Sequence, residues 1–240
     1  PVITLTSLTG GDYIAGGKSK NVTWSATDDG FGIASGISIY YSTDGGNTFL
    51  NTIVNSIANT GLYSWAVPSI ESSSVRVRIV AKDLIKNIAT YESSSNIVID
   101  STLPTINLTS LNGGEYLLAG KIENITWTAT DEHSGIPSNG ISIYYSTDGG
   151  RIFPNTIATE LANTGVYSWL VPTLESASVK IIIVALDRAG NAATKESTSN
   201  FNVKTVPPPS PLIDSVISPT NVSAIKLSGW KSQSTQIISI

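Results

Sequence analysis

The chain has 240 residues, a formal net charge of −4, 13% charged residues and no cysteine. An average soluble domain carries ~25% charged residues, so this surface is close to neutral, and its scattered Lys and Arg form no basic stripe for nucleic acid. The missing cysteines exclude a disulfide framework and thiolate metal sites, and no apolar run reaches the ~20 residues of a transmembrane segment. Methionine is absent too, so the chain reads as a mature product or an excised fragment.

Val2 to Ser7 alternates apolar and polar residues and predicts a first strand, closed by Gly10-Gly11. A second strand is expected from about Lys20 to Thr27, with Val22, Trp24 and Ala26 on the inner face. Asp28 to Ser35 is rich in turn formers and predicts a loop at one end of a sandwich. In Gly36 to Gly46 the apolar Ile37, Ile39 and Tyr41 alternate with Ser38 and Tyr40. Asp44-Gly45-Gly46 then turns the chain into Asn47-Thr48-Phe49, which predicts a β-hairpin. Leu62 to Val67 places Tyr63, Trp65 and Val67 on one face before Pro68 ends the pairing. Val75, Val77, Ile79 and Ala81 alternate with Arg76, Arg78, Val80 and Lys82, the strongest strand signal in the chain. A loop from Asp83 to Asn87 leads to a last strand near Ser95 to Ile99. About seven strands at short, regular spacing predict an immunoglobulin-like or fibronectin-type sandwich.

Asp100 to Leu103 is the only connection before Pro104 restarts the pattern, and so short a linker predicts two domains held end to end. Residues 104–204 repeat residues 1–100 at an offset of 103, then 104 after one inserted residue near Ser138-Asn139, with roughly six positions in ten identical. Trp127 answers Trp24, Trp169 answers Trp65 and Asp187 answers Asp83. On the outer face of the strongest strand, Arg76, Arg78 and Lys82 become Lys180, Ile182 and Leu186. That apolar face reads either as a contact surface or as local drift under a neighbouring loop. Residues 205–211 are proline-rich and predict a stiff linker. Residues 212–240 hold two strand-like stretches, Asn221 to Ser228 and Thr235 to Ile240, too little to fold alone. They read as a partial third immunoglobulin-like domain or as a donor-strand tail. The expected fold is all-β: two tandem immunoglobulin-like β-sandwiches, 1–100 and 104–204, plus a C-terminal β-strand segment.

The recurring Gly-Gly, Ile/Val-Thr-Trp, Ile-Tyr-Tyr-Ser-Thr-Asp-Gly-Gly, Gly-x-Tyr-Ser-Trp-x-Val-Pro and Ala-x-Asp patterns resemble tandem immunoglobulin-like or fibronectin III-like repeats of microbial surface proteins. They are also similar to the Kre9/Knh1-type cell-wall domain. In Ala185 to Asn191 the second copy is closer to the usual Ala-x-Asp-x-x-Gly-Asn ending than the first, where Lys86 replaces the glycine. The resemblance implies an extracellular or cell-surface location and modules that serve as spacers, adhesins, enzyme appendages or fibre subunits.

Ser42 to Phe49 matches the Asp-box of sialidase propellers, but the copies lie about 104 residues apart rather than the ~40 to 50 of a propeller blade, so it reads as hairpin chemistry. The single histidine, His133, has no counterpart in the first copy and no triad spacing around it, so no catalytic residue is expected. The acids permit a different chemistry. The loops carrying Asp28, Asp29 and Asp83 should emerge at one end of the first sandwich, and the same end of the second should face Asp100. Asp100, Asp131, Glu132 and Asp187 would then offer oxygen ligands to Ca2+ at the domain junction. The competing reading has Asp83 and Asp187 bonding backbone amides in their own turns. No other cofactor is implied. Asn21, Asn107, Asn124 and Asn221 begin N-glycosylation sequons, a possibility only in a host that glycosylates them.

The expected function is that of a non-enzymatic extracellular structural module, a rigid stalk of a microbial surface protein or adhesin. Its partners would be neighbouring immunoglobulin-like domains or identical subunits. Two alternatives share the fold: a filament subunit joined by C-terminal strand donation, and a carbohydrate-binding wall-anchoring module that contacts surface glycans. The last needs exposed aromatic rows, whereas alternation turns Trp24, Trp65, Trp127 and Trp169 inward and leaves only Tyr40 and Tyr144 facing out.

Overall fold

The computed structural model describes residues 1–33 and 36–205, together with two short strands at 224–226 and 237–239. No helix occurs among the described residues. The first domain runs β1 (Val2–Leu5), β2 (Tyr13–Ala15), β3 (Ser19–Thr27), β4 (Ile37–Ser42), β5 (Asn51–Ile57), β6 (Leu62–Ala66), β7 (Ser72–Lys82), β8 (Ile88–Glu92) and β9 (Ile97–Asp100). Strands β1, β3 and β6 make one sheet. The facing sheet has the order β2-β9-β7-β4-β5, with β8 paired to the C-terminal half of β7. Period-2 alternation decides which side chains enter the core between the sheets. Val75, Val77, Ile79 and Ala81 on β7 are fully buried, while the intervening Arg76, Arg78 and Val80 are half-buried on the outer face.

The chain leaves one sheet for the other between β1, which pairs with β3, and β2, which pairs with β9. Gly10 makes this crossing at φ 124°, and a Cβ there would sit 2.5 Å from the Ser95 backbone nitrogen. Gly113 repeats the arrangement in the second domain at φ 108°, 2.1 Å from the Ser199 carbonyl oxygen. Only glycine fits such a position.

All four tryptophans of the two copies are buried. Trp24 donates its indole N–H to Asn59 Oδ1 at 2.9 Å, and Asn59 Nδ2 donates to the Ala26 carbonyl at 2.8 Å. Trp127 and Asn163 repeat the pair at 3.0 Å. The polar atom of a buried indole is thereby satisfied inside the core.

The second domain has the same order: β10 (Thr105–Leu108), β11 (Tyr116–Leu118), β12 (Ile122–Thr130), β13 (Ile141–Ser146), β14 (Asn155–Leu161), β15 (Val166–Leu170), β16 (Ser176–Leu186), β17 (Ala192–Glu196) and β18 (Phe201–Lys204). Its sheets are β10-β12-β15 and β11-β18-β16-β13-β14, with β17 paired to β16. Two further strands, β19 (Ala224–Lys226) and β20 (Ile237–Ser239), pair antiparallel with each other. The proline-rich stretch 206–211 and Asn221 lie outside the described residues.

Two sequence expectations change. The partner of β4 is Asn51–Ile57 rather than Asn47 to Phe49. The Asp44 carboxylate accepts hydrogen bonds from the Thr48 amide at 3.0 Å and the Thr48 hydroxyl at 2.6 Å, so the turn consumes those residues before pairing begins. Strands β2 and β8 were not expected, because three to five residues beside glycines or lysines carry too little alternation to stand out. The outer face of β16, which the sequence left open between a contact surface and local drift, keeps Leu186 exposed. Ile182 lies between Tyr144 and Glu196, Val184 between Ser142 and Thr194, and both are half-buried. In the first domain Arg78 holds the Ile182 place by pairing with Glu92 at 2.8 Å and lying 3.7 Å over the Phe49 ring.

Candidate functional site at the domain junction

Strand β9 ends at Asp100 and β10 begins at Thr105, so the two sandwiches almost touch. Asp100 is 0% exposed. Its carbonyl accepts the Gly16 amide of its own domain at 2.9 Å and Asn191 Nδ2 of the second domain at 3.0 Å. Its carboxylate accepts the Thr102 amide and hydroxyl on Oδ1, at 2.9 and 2.7 Å, and the Ser134 amide on Oδ2 at 3.1 Å. Burial pushes this carboxyl up, but the hydrogen bonds from Ser134 and Thr102 outweigh it and hold the group below the usual aspartate value.

The second domain presents two loops to this strand end. Asp131 Oδ1 closes the first by accepting the Ser134 amide at 2.9 Å and the Gly135 amide at 2.7 Å. Asp187, 2% exposed, closes the second by accepting the Asn191 amide and side chain, both at 2.8 Å. The Arg188 amide donates to the Gly135 carbonyl at 3.0 Å and ties the loops together. Around this centre, Lys18 Nζ reaches the Gly190 carbonyl at 3.1 Å and Arg188 reaches the Tyr13 hydroxyl at 3.3 Å. Glu71 takes the Ser101 amide at 2.8 Å on one oxygen and faces His133 Nδ1 at 3.6 Å with the other.

The acids sort into three groups. Carboxylate oxygens of Asp100, Asp131 and Asp187 lie within 4.8 Å of one another, and Glu71, Asp100 and His133 form a second such group. Asp131 Oδ2 exposes less than 1 Å² and has no hydrogen-bond partner. Glu132 is exposed and joins neither group. Asp28 and Asp83 lie in the first domain's own turns: Asp28 Oδ1 accepts the Gly30, Phe31 and Gly32 amides, and Asp83 Oδ1 accepts the Ile85 and Asn87 amides. Asp29 is exposed. Asp83 follows the far end of β7 from Glu71, so these acids occupy the pole of the first domain away from the junction. Asn21, Asn107 and Asn124 are exposed.

Sequence reasoning missed Ser134, Asn191, Glu71 and the Lys18, Tyr13 and Arg188 contacts. A signal existed in the differences between copies, since Ser134 and Arg188 stand where the first domain has Phe31 and Leu84.

No protein-family model matches the chain, and no curated protein matches it either. Among solved structures it is similar to the fibronectin(III)-like modules of Clostridium thermocellum CbhA, with a TM-score of 0.53 and 16% identity over 85% of this chain and 95% of that one. The FN1-FN3 domains of chicken CNTN1 give 0.42 and 14% over 78% and 65%. A Ca2+-stabilized, ice-binding adhesin of an Antarctic bacterium gives 0.39 and 18% over 84% and 48%. At such identities the likeness is one of fold, and the fold is a tandem of fibronectin III-like or immunoglobulin-like β-sandwiches.

Proposed function

We propose that the chain is a non-enzymatic extracellular structural module, a stiff segment of the stalk of a microbial surface protein or adhesin. The observation that carries this reading is the double use of Asp100, whose carbonyl and carboxylate both accept hydrogen bonds from the second domain across a linker of Ser101 to Pro104. Two sandwiches joined in that way transmit length and orientation without a moving part. A surface low in charge, with the four tryptophans of the two sandwiches buried, offers reach rather than a binding platform and argues against the carbohydrate-binding alternative.

Residual dipolar couplings of the full chain test the proposal. A single alignment tensor shared by residues 1–100 and 105–204 is expected, and two independent tensors would overturn it. Deleting residues 212–240 should leave the tensor and the association state unchanged. Loss of self-association on that deletion would replace the stalk by the strand-donating filament.

A further inference from the structure

Three carboxylates that converge from two domains carry a charge that no ion pair among the described residues cancels. None of the ion pairs among the described residues involves Asp100, Asp131 or Asp187. Amide donors satisfy lone pairs but leave the negative charge in place. The hydrogen bonds are also unevenly spread. Both Asp131 bonds from the backbone fall on Oδ1, and Oδ2 is buried without a donor. A buried oxygen of this kind calls for a partner.

We propose that Asp100, Asp131 and Asp187 bind one Ca2+ ion that pins the second domain to the first, an inference that deepens the stalk reading and rests on the same junction. The three donors are all hard oxygens, which suits Ca2+. Two oxygens on one Ca2+ at 2.3–2.6 Å are at most about 5 Å apart, and these three lie within 4.8 Å of one another. Mg2+ demands a near-ideal octahedron at ~2.1 Å and gives up its waters reluctantly, so it is the poorer match to an all-protein carboxylate set. A transition metal would favour the neighbouring Glu71, Asp100 and His133 group, where a ring nitrogen is present.

The repeat makes the site specific to this junction. In the first domain Asp28 and Asp83 occupy the places of Asp131 and Asp187 but lie at the pole away from the junction. At the end of the second domain Lys204 stands in the place of Asp100, so an ammonium replaces the carboxylate there.

Calorimetric titration of the full, chelator-treated chain with CaCl2 should give one site per chain. Asp131→Asn keeps an oxygen for the Ser134 and Gly135 amides but removes the charge, and should weaken binding by about tenfold or more. Asp28→Asn should leave it unchanged. Absence of binding by the wild-type chain at millimolar Ca2+ overturns the proposal, and that result does not depend on any variant folding. Equal affinity in Asp131→Asn, or a loss that instead follows His133→Ala, also overturns it. Dipolar couplings recorded in chelator and in Ca2+ separate this proposal from the stalk. One tensor in both conditions without Ca2+ binding retires the ion alone, whereas two tensors with Ca2+ bound retire the stalk alone.

Discussion

The side-chain amide of Asn191 spans the two domains, donating to the Asp100 carbonyl of the first at 3.0 Å and to Asp187 Oδ2 of the second at 2.8 Å. Its counterpart Asn87 donates only within its own loop, to Asp83 Oδ2 at 2.7 Å. The same turn therefore serves a local purpose in one domain and a joining purpose in the other.

Asn191→Ala should lower stability by about 1–3 kcal/mol, because a buried carboxylate oxygen loses its donor. It should also lengthen the range of interdomain angles seen by dipolar couplings, since Gly16 alone then holds the Asp100 carbonyl. Asn87→Ala should cost stability without changing the angle. An unchanged angle in Asn191→Ala would show that this contact does not set the orientation.

Gly113→Ala should be far more damaging than Gly114→Ala. Both residues have positive φ, but a Cβ at Gly113 would meet the Ser199 carbonyl at 2.1 Å, and at Gly114 it would meet nothing within 4 Å. The second change should cost about 1 kcal/mol from backbone strain, and the first should prevent β11 from joining β18. Urea denaturation of the two variants compares them directly.

Trp127→Phe should cost about 2–3 kcal/mol, from lost buried area and from leaving Asn163 Oδ1 without its donor. The double variant with Asn163→Ala should then cost less than the sum of the two single changes. Additive losses measured by denaturation would mean that the indole N–H and Asn163 are not coupled.

Asp44 makes stability depend on acid pH. Hydrogen bonds from the Ser42 hydroxyl, the Thr48 hydroxyl and the Thr48 amide hold its carboxyl well below the usual value of 3.8. A folded pKa below the unfolded one adds stability that is full above the unfolded value and is lost as pH falls toward the folded value. The difference in melting temperature between the wild-type chain and Asp44→Asn should therefore be constant above about pH 5 and shrink below pH 4. A difference that persists unchanged to pH 2 would assign it to geometry rather than charge. Asp148 is lowered by the same type of contact, led by the Ser146 hydroxyl, so the second domain should follow the first.

Much of the fold was legible from Val75 to Ala81 and from the tryptophan strands, because alternation along a strand is a local pattern that directly reports which face is buried. The repeat added domain number, since one hundred residues recurring at about 60% identity must reuse the same core. Strands β2, β5 and β8 were less legible. Their pairing depends on partners already in place, such as β9 and β7, more than on their own residues.

The sequence by itself determined two inward-packed sandwiches joined by a short connection, because hydrophobic period and chain length act within a few residues. The expected meeting of Asp100, Asp131 and Asp187 was legible from the repeat, but only the tertiary structure decided that Ser134 and Asn191 join them while Glu132 turns to solvent. That meeting joins residues up to 91 positions apart, and it depends on how two finished domains dock, a quantity carried by no local pattern in the chain.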